Sequence, residues 1–431
     1  MRDVLLAGKE KNVALSPVDK DYVVIGGNVE EMLSQGFAQV GAAFPVFIHP
    51  VTDEEYALAR TERKTGKRHT DFAFDFSADI SLEEDAQRRD FSINALYYDP
   101  ESEELLDPTG RGIEDYHAKI LRHAGPGRHF AEDPLRVLRC ARFAAQLSFS
   151  PDPDTERLIE EMVQDGMLRN LSRERIDNEL KRAFFAGYDS SRFLFYLQKW
   201  GALAQLYPEL ERLVTCVENP RYHLAKTSWG HILAALDVAQ DKGPRIKTSI
   251  IYHDIYKPIA YAKKLELKKR VPHDDSNALK YLEGYLAQRT FDSQTKRLCR
   301  LAVHHHMRMR CLFEGMSIKK WVDMIGAITW GFREDHRQEL TDLLEVCKAD
   351  DISDKRAGCF HGSTGKDRWK VMHNCALQTF EVCNKIQART LPHYQEMNVE
   401  KLKLELREAR IKAVSEQVDF FRHKKEQAPN S

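Results

Sequence analysis

No stretch of this 431-residue chain is apolar over the length that a bilayer-spanning helix needs. The N-terminus also lacks a charged-then-apolar leader with a small-residue cleavage site. Both absences point to the cytoplasm. Closely spaced cysteines are missing as well. The eight cysteines are scattered, with no CxxC pair, which speaks against a zinc ribbon or a disulfide framework. Buried reduced thiols are expected instead, and Cys140 and Cys216 sit in apolar surroundings. Net charge is nearly absent, at −1 from 65 basic and 66 acidic residues, so the chain as a whole carries no nucleic-acid footprint. No internal repeat or low-complexity tract occurs.

What is present is 42% hydrophobic and 30% charged, the balance of a soluble globular protein long enough for two or three cores. Basic clusters alternate with acidic stretches: Lys263-Lys264, Lys268-Lys269-Arg270, and Arg60 to Arg68. A balanced total hides a basic groove as easily as it describes ordinary solvated faces.

Residues 1 to about 120 mix short strands with helices. The clearest strand is Tyr22–Ile25, ending at a Gly26-Gly27 turn before a helix from Val29 to Gln35. Phe44–Ile48 and Glu55–Arg60 read as further strands, and Ser92–Tyr98 and Leu105-Leu106 continue the mixed pattern. From about residue 132 the pattern is helical, with Leu135, Leu138, Ala141 and Ala145 recurring at helical spacing. Glu400 to Lys425 reads as one highly charged amphipathic helix. The fold class is α+β: a small sheet domain followed by a largely helical body.

Asp19 and Asp21 stand at the mouth of the first strand, where alternate residues face one side. Two carboxylates held that close repel unless a cation lies between them, and their hard oxygens suit Mg²⁺ beside a nucleoside triphosphate. DxD by itself is more often a charged strand entrance.

The context decides. Asp19-Lys20-Asp21-Tyr22-Val23-Val24 is followed by Phe44 to Pro50, by Glu55 to Lys64, and by Leu82 to Leu96 containing Arg88-Arg89-Asp90. Leu106-Asp107-Pro108, Gly112 and then Glu132 to Arg139 come next, ending Ala141-Arg142-Phe143. In this order the segments resemble the class II CCA-adding tRNA nucleotidyltransferases of the polymerase-β superfamily, in the long bacterial form that carries an HD domain. Arg407 to Val414 is similar to that form's last helix. The resemblance implies that Asp19 and Asp21 hold catalytic Mg²⁺. It implies that Arg89 binds the incoming nucleotide while Asp90 holds the ribose or orients that arginine. A guanidinium matches phosphate oxygens bidentately. Asp133 and Arg136, three residues apart, are expected to share one helix face. They would meet the amine-donor and ring-nitrogen pattern that cytosine and adenine have in common, leaving guanine and uracil unpaired. The alternative is a capped, salt-bridged helix start. Arg139 and Arg142 match the family's ATP and CTP contacts.

One departure stands at the N-terminus. The family opens with a strand and Gly-Gly-x-x-Arg-Asp, which brings backbone to the triphosphate. Here Arg2-Asp3 fits the motif's end, but the strand and both glycines are absent, and Arg2 to Asp19 is longer than usual. A misplaced or truncated start is the favoured expectation over natural loss. Arg2 would then belong to the nucleotide site.

In the second half, His231, His253-Asp254, His273, His304-His305-His306 and Asp350 follow in order. This resembles the HD phosphohydrolase pattern, His…His-Asp…Asp, which binds a divalent metal. Imidazole and carboxylate suit Mg²⁺, Ni²⁺ or Mn²⁺. His231, His253, Asp254 and Asp350 are the expected ligands, with Asp351 and Asp354 competing for the last place. His273 and either His304 or His305 complete the site.

The resemblance implies a head at 1–125, a neck and body at 126–220, an HD domain at 221–335 and a helical tail at 336–431. It implies addition or repair of tRNA 3′-terminal CCA from CTP and ATP, with tRNA gripped through its backbone and no membrane or obligatory protein partner. The HD domain would add phosphatase, 2′,3′-cyclic phosphodiesterase or 2′-nucleotidase activity. A poly(A) polymerase, a partial CC- or A-adding enzyme, and a degenerate tRNA-binding head with only the HD domain active are the alternatives.

Overall fold

The computed structural model describes residues 21–40, 46–64, 72–75, 78–220, 223–353 and 365–426. Two compact units are formed, one by residues 1–179 and 196–206, the other by residues 180–195 and 207–431.

In the first unit, β1 (Asp21–Val24) leads through a left-handed Gly26 (φ +73°) and the N-cap Asn28 into α1 (Val29–Ser34). The strands β2 (Ala38–Val40), β3 (Val46–Ile48) and β4 (Glu55–Leu58) complete a sheet of order β1-β4-β3-β2. β1 and β4 run parallel, with Asp21 opposite Glu55, and the other pairings are antiparallel. The expected strand to Arg60 stops at Leu58. A separate hairpin, β5 (Thr61–Lys64) with β6 (Phe72–Asp75), follows.

Alternation along β1 splits the sheet's two faces. Val24 packs on Met32, Phe47 and Leu58, and Val23 packs on Ala86, Ala95 and Tyr97. Asp21 lies two residues from Val23 and therefore on that second face.

Helix α2 (Leu82–Gln87) starts with a capping box between Ser81 and Glu84. Ser92–Tyr98, part of the mixed pattern, is a 3₁₀ turn at Ser92–Asn94 followed by β7 (Tyr97–Asp99), which pairs with β8 (Glu104–Leu106). Asp90 imposes the turn: its Oδ1 accepts from the Phe91 backbone N–H and from Asn94 Nδ2, both at 2.9 Å. Gly125 lets another segment approach here, since a Cβ at that position would stand 2.2 Å from the Gln87 carbonyl oxygen. Helices α3 (Leu135–Leu147) and α4 (Arg173–Ala183) begin the helical part of the chain.

The second unit is helical. Four helices interpack: α5 (Ser228–Val238), α6 (Pro244–Tyr252), α7 (Ser293–Arg310) and α8 (Arg337–Ser353). Thr227 caps α5, Pro244 occupies the first turn of α6, and Asp292 caps α7. The border expected between residues 335 and 336 falls inside this unit, and α8 beyond it packs on α5, α6 and α7. Helix α9 (Gly365–Asn384) follows. The tail is two helices rather than one, α10 (Val399–Gln417) and α11 (Asp419–Glu426). Gln378 breaks them apart by taking both the backbone N–H and the carboxylate of Asp419, and Val418 is buried in an extended conformation between them.

All seven described cysteines are free thiols, and all but Cys311 are buried, Cys140 and Cys216 included. Among the described residues no helix is long and apolar enough to cross a membrane.

Candidate functional site

Two sites emerge, one in each unit. Arg2 and Asp19 lie outside the described residues. In the first unit the site is built from α2, the turn after it and α3.

Asp85 is fully buried and gathers four donors. Arg88 and Arg89 reach it at 2.6 and 3.1 Å, the Tyr97 hydroxyl donates at 2.7 Å, and the Arg60 backbone N–H donates at 3.3 Å. Burial alone would raise the Asp85 pKa, but the two guanidinium groups and the phenol hold it below its usual value. Arg89 Nε also donates to the Tyr97 oxygen at 2.7 Å, and its guanidinium lies 4.7 Å from that ring's centre. Arg89 is thus fixed by Asp85 and Tyr97, while its side chain stays one-third exposed.

Of the two roles expected of Asp90, holding the ribose or orienting Arg89, the second is not met: Asp90 pairs with Arg139. Its Oδ2 accepts from Nε and Nη2 of Arg139, at 2.7 and 2.6 Å. Burial would raise the Asp90 pKa, yet Arg139 and Asn94 hold it down to about 2. Arg139 remains 29% exposed beside this buried partner. Arg136 donates to the His129 carbonyl oxygen at 2.6 Å and to the Arg88 carbonyl oxygen, which ties α3 to the Arg88-Arg89 segment.

Asp133 and Arg136 do not share a helix face. Pro134 caps α3, so Asp133 lies before the helix and turns its Oδ1 onto the Leu135 N–H at 3.1 Å. Its other oxygen pairs with Arg175 of α4 at 2.8 Å, and both side chains are about a quarter exposed. Arg142 pairs with a different carboxylate. It is buried against Glu179 at 2.6 Å, with its guanidinium 4.0 Å from the Phe143 ring centre.

Sequence reasoning missed Asp85, Tyr97 and Arg175. Asp85 was legible in principle, because it stands three and four residues before Arg88 and Arg89, within reach of both on one helical turn. Tyr97 and Arg175 arrive from distant segments, and nothing in the local pattern marks them.

In the second unit, His231 of α5, His253-Asp254 after α6, His306 of α7 and Asp350 of α8 meet in the interior. His231 Nε2 lies 3.0 Å from Asp350 Oδ1, and His253 Nε2 lies 3.1 Å from Asp254 Oδ2. Two groups of three, His231-His253-Asp350 and Asp254-His273-His306, each bring their ligand atoms within 4.8 Å of one another. His253 Nδ1 donates to the Ile250 carbonyl at 2.6 Å, and His306 Nδ1 donates to the Ala302 carbonyl at 2.8 Å. A carbonyl only accepts, so these bonds fix the tautomer and leave each Nε2 lone pair facing the cluster. Nε2 of His253, His273 and His306 and Oδ1 of Asp254 are buried with no hydrogen-bond partner among the described residues. Converging buried lone pairs without hydrogen-bond partners make a set that could hold a metal ion.

Lys257 lies 2.7 Å from Asp254 and 2.6 Å from Glu218. Arg310 lies 3.0 Å from Asp350 and 2.6 Å from Asp351. Of the competing aspartates, then, Asp350 faces the histidines, Asp351 faces Arg310, and Asp354 lies outside the described residues.

Neither His304 nor His305 joins the cluster. His304 Nδ1 donates to the Asp274 carbonyl oxygen at 3.1 Å, and His305 packs edge-on against His304. His306 is the member that does; helical spacing alone does not single it out, because His305 is buried on α7 as well.

Comparison with known proteins places these arrangements. Residues 1–122 match the family described as "Poly A polymerase head domain", and residues 148–213 match "Probable RNA and SrmB- binding site of polymerase A". The fold is also that of the Bacillus stearothermophilus CCA-adding enzyme in complex with CTP, at 17% identity over 99% of this chain and 93% of that one, with a TM-score of 0.57. A polymerase-type nucleotidyltransferase head followed by a largely helical body is thus the class. Proteins named "Multifunctional CCA protein" are similar over most of the chain. The one from Methylobacillus flagellatus is 35% identical over 80% of this chain and 82% of its own length. The one from Leptothrix cholodnii is 37% identical over 81% of this chain and 82% of its own length. The chain belongs to this multifunctional CCA protein family. Its match to the relative from Azoarcus sp., 41% identical over 60% of this chain, spans 62% of that protein's length.

Proposed function

We propose that this chain adds or repairs the 3′-terminal CCA of tRNA from CTP and ATP, without a nucleic-acid template, in the cytoplasm. The observation that carries the reading is the anchored arginine set. Arg89 on Asp85 and Tyr97, and Arg139 on buried Asp90, are partly exposed guanidinium groups whose positions are set before any ligand arrives. Pre-set cations of this kind bind phosphate oxygens with little further ordering. Asp133 and Arg136 would read the base, with Arg175 holding the Asp133 carboxylate until a base amine competes for it. Arg142, buried on Glu179, would steady this neck rather than touch nucleotide.

Asp19 and Asp21 would hold Mg²⁺, whose charge would favour both the attacking 3′-hydroxyl and the departing pyrophosphate. Asp21 shares a sheet face with Val23, which packs on Tyr97, so the carboxylate and Arg89 serve one site.

In the second unit His231, His253, Asp254 and Asp350 would hold a divalent metal, and their two imidazole nitrogens favour Ni²⁺ over Mg²⁺ or Mn²⁺. Such an ion supplies Lewis acidity toward a phosphomonoester or a 2′,3′-cyclic phosphate. Lys257 and Arg310 hold the carboxylates ionised and oriented. This HD domain takes in α8 as well as residues 221–335.

The test offers the purified chain tRNA lacking its terminus with each labelled nucleotide separately and together. Addition limited to CTP and ATP, ending after CCA and abolished by Asp21→Ala, is expected. A long homopolymeric tail would replace this reading with that of a poly(A) polymerase. No incorporation at all, with the phosphohydrolase intact, would leave a tRNA-binding head.

A further inference from the structure

The helix Lys257–Leu267 is packed only at its start. Ala260 is buried and Lys257 joins Asp254 and Glu218, but every residue from Tyr261 to Arg270 is exposed. A helix that buries one stripe is ordinary. One that buries none over its last two turns gains no stability from packing there. Its large apolar residues are bare as well: Tyr261, Leu265 and Leu267 are 44%, 63% and 50% exposed. Tyr261 and Leu265, four residues apart, are neighbours on one side.

The same stretch holds Lys263, Lys264, Lys268, Lys269 and Arg270 against the single acid Glu266, in a chain whose net charge is −1. Lys263 donates to the Tyr256 hydroxyl at 3.1 Å. Lys264, Lys268, Lys269 and Arg270 have no ion-pair or hydrogen-bond partner among the described residues. Exposed cations elsewhere in this unit do find acids, as Arg300 with Glu283, Arg337 with Glu381 and Arg407 with Asp323 do. The projection is therefore a patch of uncompensated positive charge beside bare apolar side chains.

Its place matters. His231, His253, Asp254, His306 and Asp350 are at most 4% exposed. The His273 side chain, three residues beyond Arg270, is 20% exposed and its Nε2 lies 3.4 Å from Asp254 Oδ1. A molecule that reaches this cluster from solvent meets His273 first, at the end of the basic run. The two acids that follow are engaged elsewhere: Asp274 lies 3.8 Å from Arg308, and Asp275 caps the next helix.

We propose that Tyr261–Arg270 is a docking ledge for a single-stranded RNA end, which it leads to His273 with the terminal phosphate foremost. This rests on reading the cluster as a phosphohydrolase centre. Successive phosphates neutralise the lysines, and Tyr261 and Leu265 give the bases an apolar face. An anionic membrane also suits basic and apolar residues on one helix, but three large apolar side chains bury little area in lipid, and the run ends at His273.

The full chain, stripped of metal with chelator, is titrated with a short fluorescent RNA that carries a 3′-phosphate and a 4-thiouridine beside it. Wild type is compared with a variant combining Lys264→Gln, Lys268→Gln, Lys269→Gln and Arg270→Gln, whose exposed positions leave thermal melting unchanged. Any grip by the first unit is common to both proteins and cancels. The variant should bind about tenfold more weakly at low salt, and its log–log salt slope should be shallower by about 2–3. Photo-cross-links in the wild type should map to residues 261–270. Equal affinity and slope, with cross-links confined to the first unit, would overturn the ledge. Sedimentation with phosphatidylglycerol vesicles that the variant abolishes, beside unchanged RNA binding, would give this surface to a membrane instead. Hydrolysis of a 2′,3′-cyclic mononucleotide by the nickel-loaded wild type is scored apart: its absence sinks the phosphohydrolase reading, whereas the metal-free titration judges the ledge.

Discussion

Asp90 accepts from two nitrogens of Arg139 through one carboxylate oxygen, at 2.7 and 2.6 Å, and is itself only 7% exposed. A buried carboxylate so paired binds its proton less readily folded than unfolded, and the pair consequently links acidity to stability. The folded pKa of about 2 lies below the ordinary 3.8, so the stabilisation is complete above pH 4 and is lost as pH falls through about 2. A shift of this size is worth about 2 kcal/mol. Asp90→Asn should therefore destabilise the first unit by about that amount at pH 7, and the gap should shrink at pH 3. Hydrogen exchange in α3, measured for both proteins at the two pH values, is the check. A gap independent of pH would mean that ionisation is not what Asp90 contributes.

Tyr97 both donates to Asp85 and accepts from Arg89. Phenylalanine keeps the ring under the guanidinium and removes the hydroxyl. A hydrogen bond to a charged group is worth about 1.5–3 kcal/mol, so Tyr97→Phe should raise KM for both nucleotides by about tenfold or more. Single-nucleotide kinetics separate KM from kcat. A fall in kcat alone would place Tyr97 outside nucleotide binding.

The Asp133–Arg175 pair bears on base choice. Removing the acceptor with Asp133→Ala should cost little stability, because both partners are partly exposed. It should nevertheless relax discrimination against UTP and GTP by about 10- to 100-fold, since the wrong base no longer leaves the Asp133 carboxylate facing another acceptor. Misincorporation assays with single nucleotides measure the ratio. Unaltered discrimination would remove Asp133 from base reading.

His304 faces the Asp274 carbonyl and away from the buried imidazoles. His304→Ala should leave nickel content and hydrolysis of a 2′,3′-cyclic nucleotide within about twofold of wild type, whereas His231→Ala removes both. Loss of metal in the His304 variant would contradict the placement of α7.

Much of this was legible in the residues themselves. The strand that starts at Asp21, the glycine turn after it and the His-Asp dipeptide are local chemistry, and each falls where its neighbours put it. Three things were not. Ser92–Tyr98 has strand-like residues, but Asp90 captures its backbone and coils the segment, a side-chain bond that outweighs propensity. Asp133 and Arg136 have helical spacing, yet Pro134 keeps Asp133 outside the helix, a rule that was available and outranked by the interval. Which aspartate clamps which arginine depends on how segments some fifty residues apart meet, as Asp90 and Arg139 do, and no period encodes that.

The run His304-His305-His306 on α7 has a directional effect on tolerance to length changes. Each residue turns a helix by about 100°, so the three rings point three ways and, of the three, only His306 joins the Asp254 group. Were the helix lengthened by one residue upstream of the run, shifting the run toward its C-terminal end, His305 would rotate into that slot; two extra residues would bring His304 there. A one-residue deletion would instead present Met307, a thioether in place of an imidazole. Insertions are thus buffered at this spot and deletions are not.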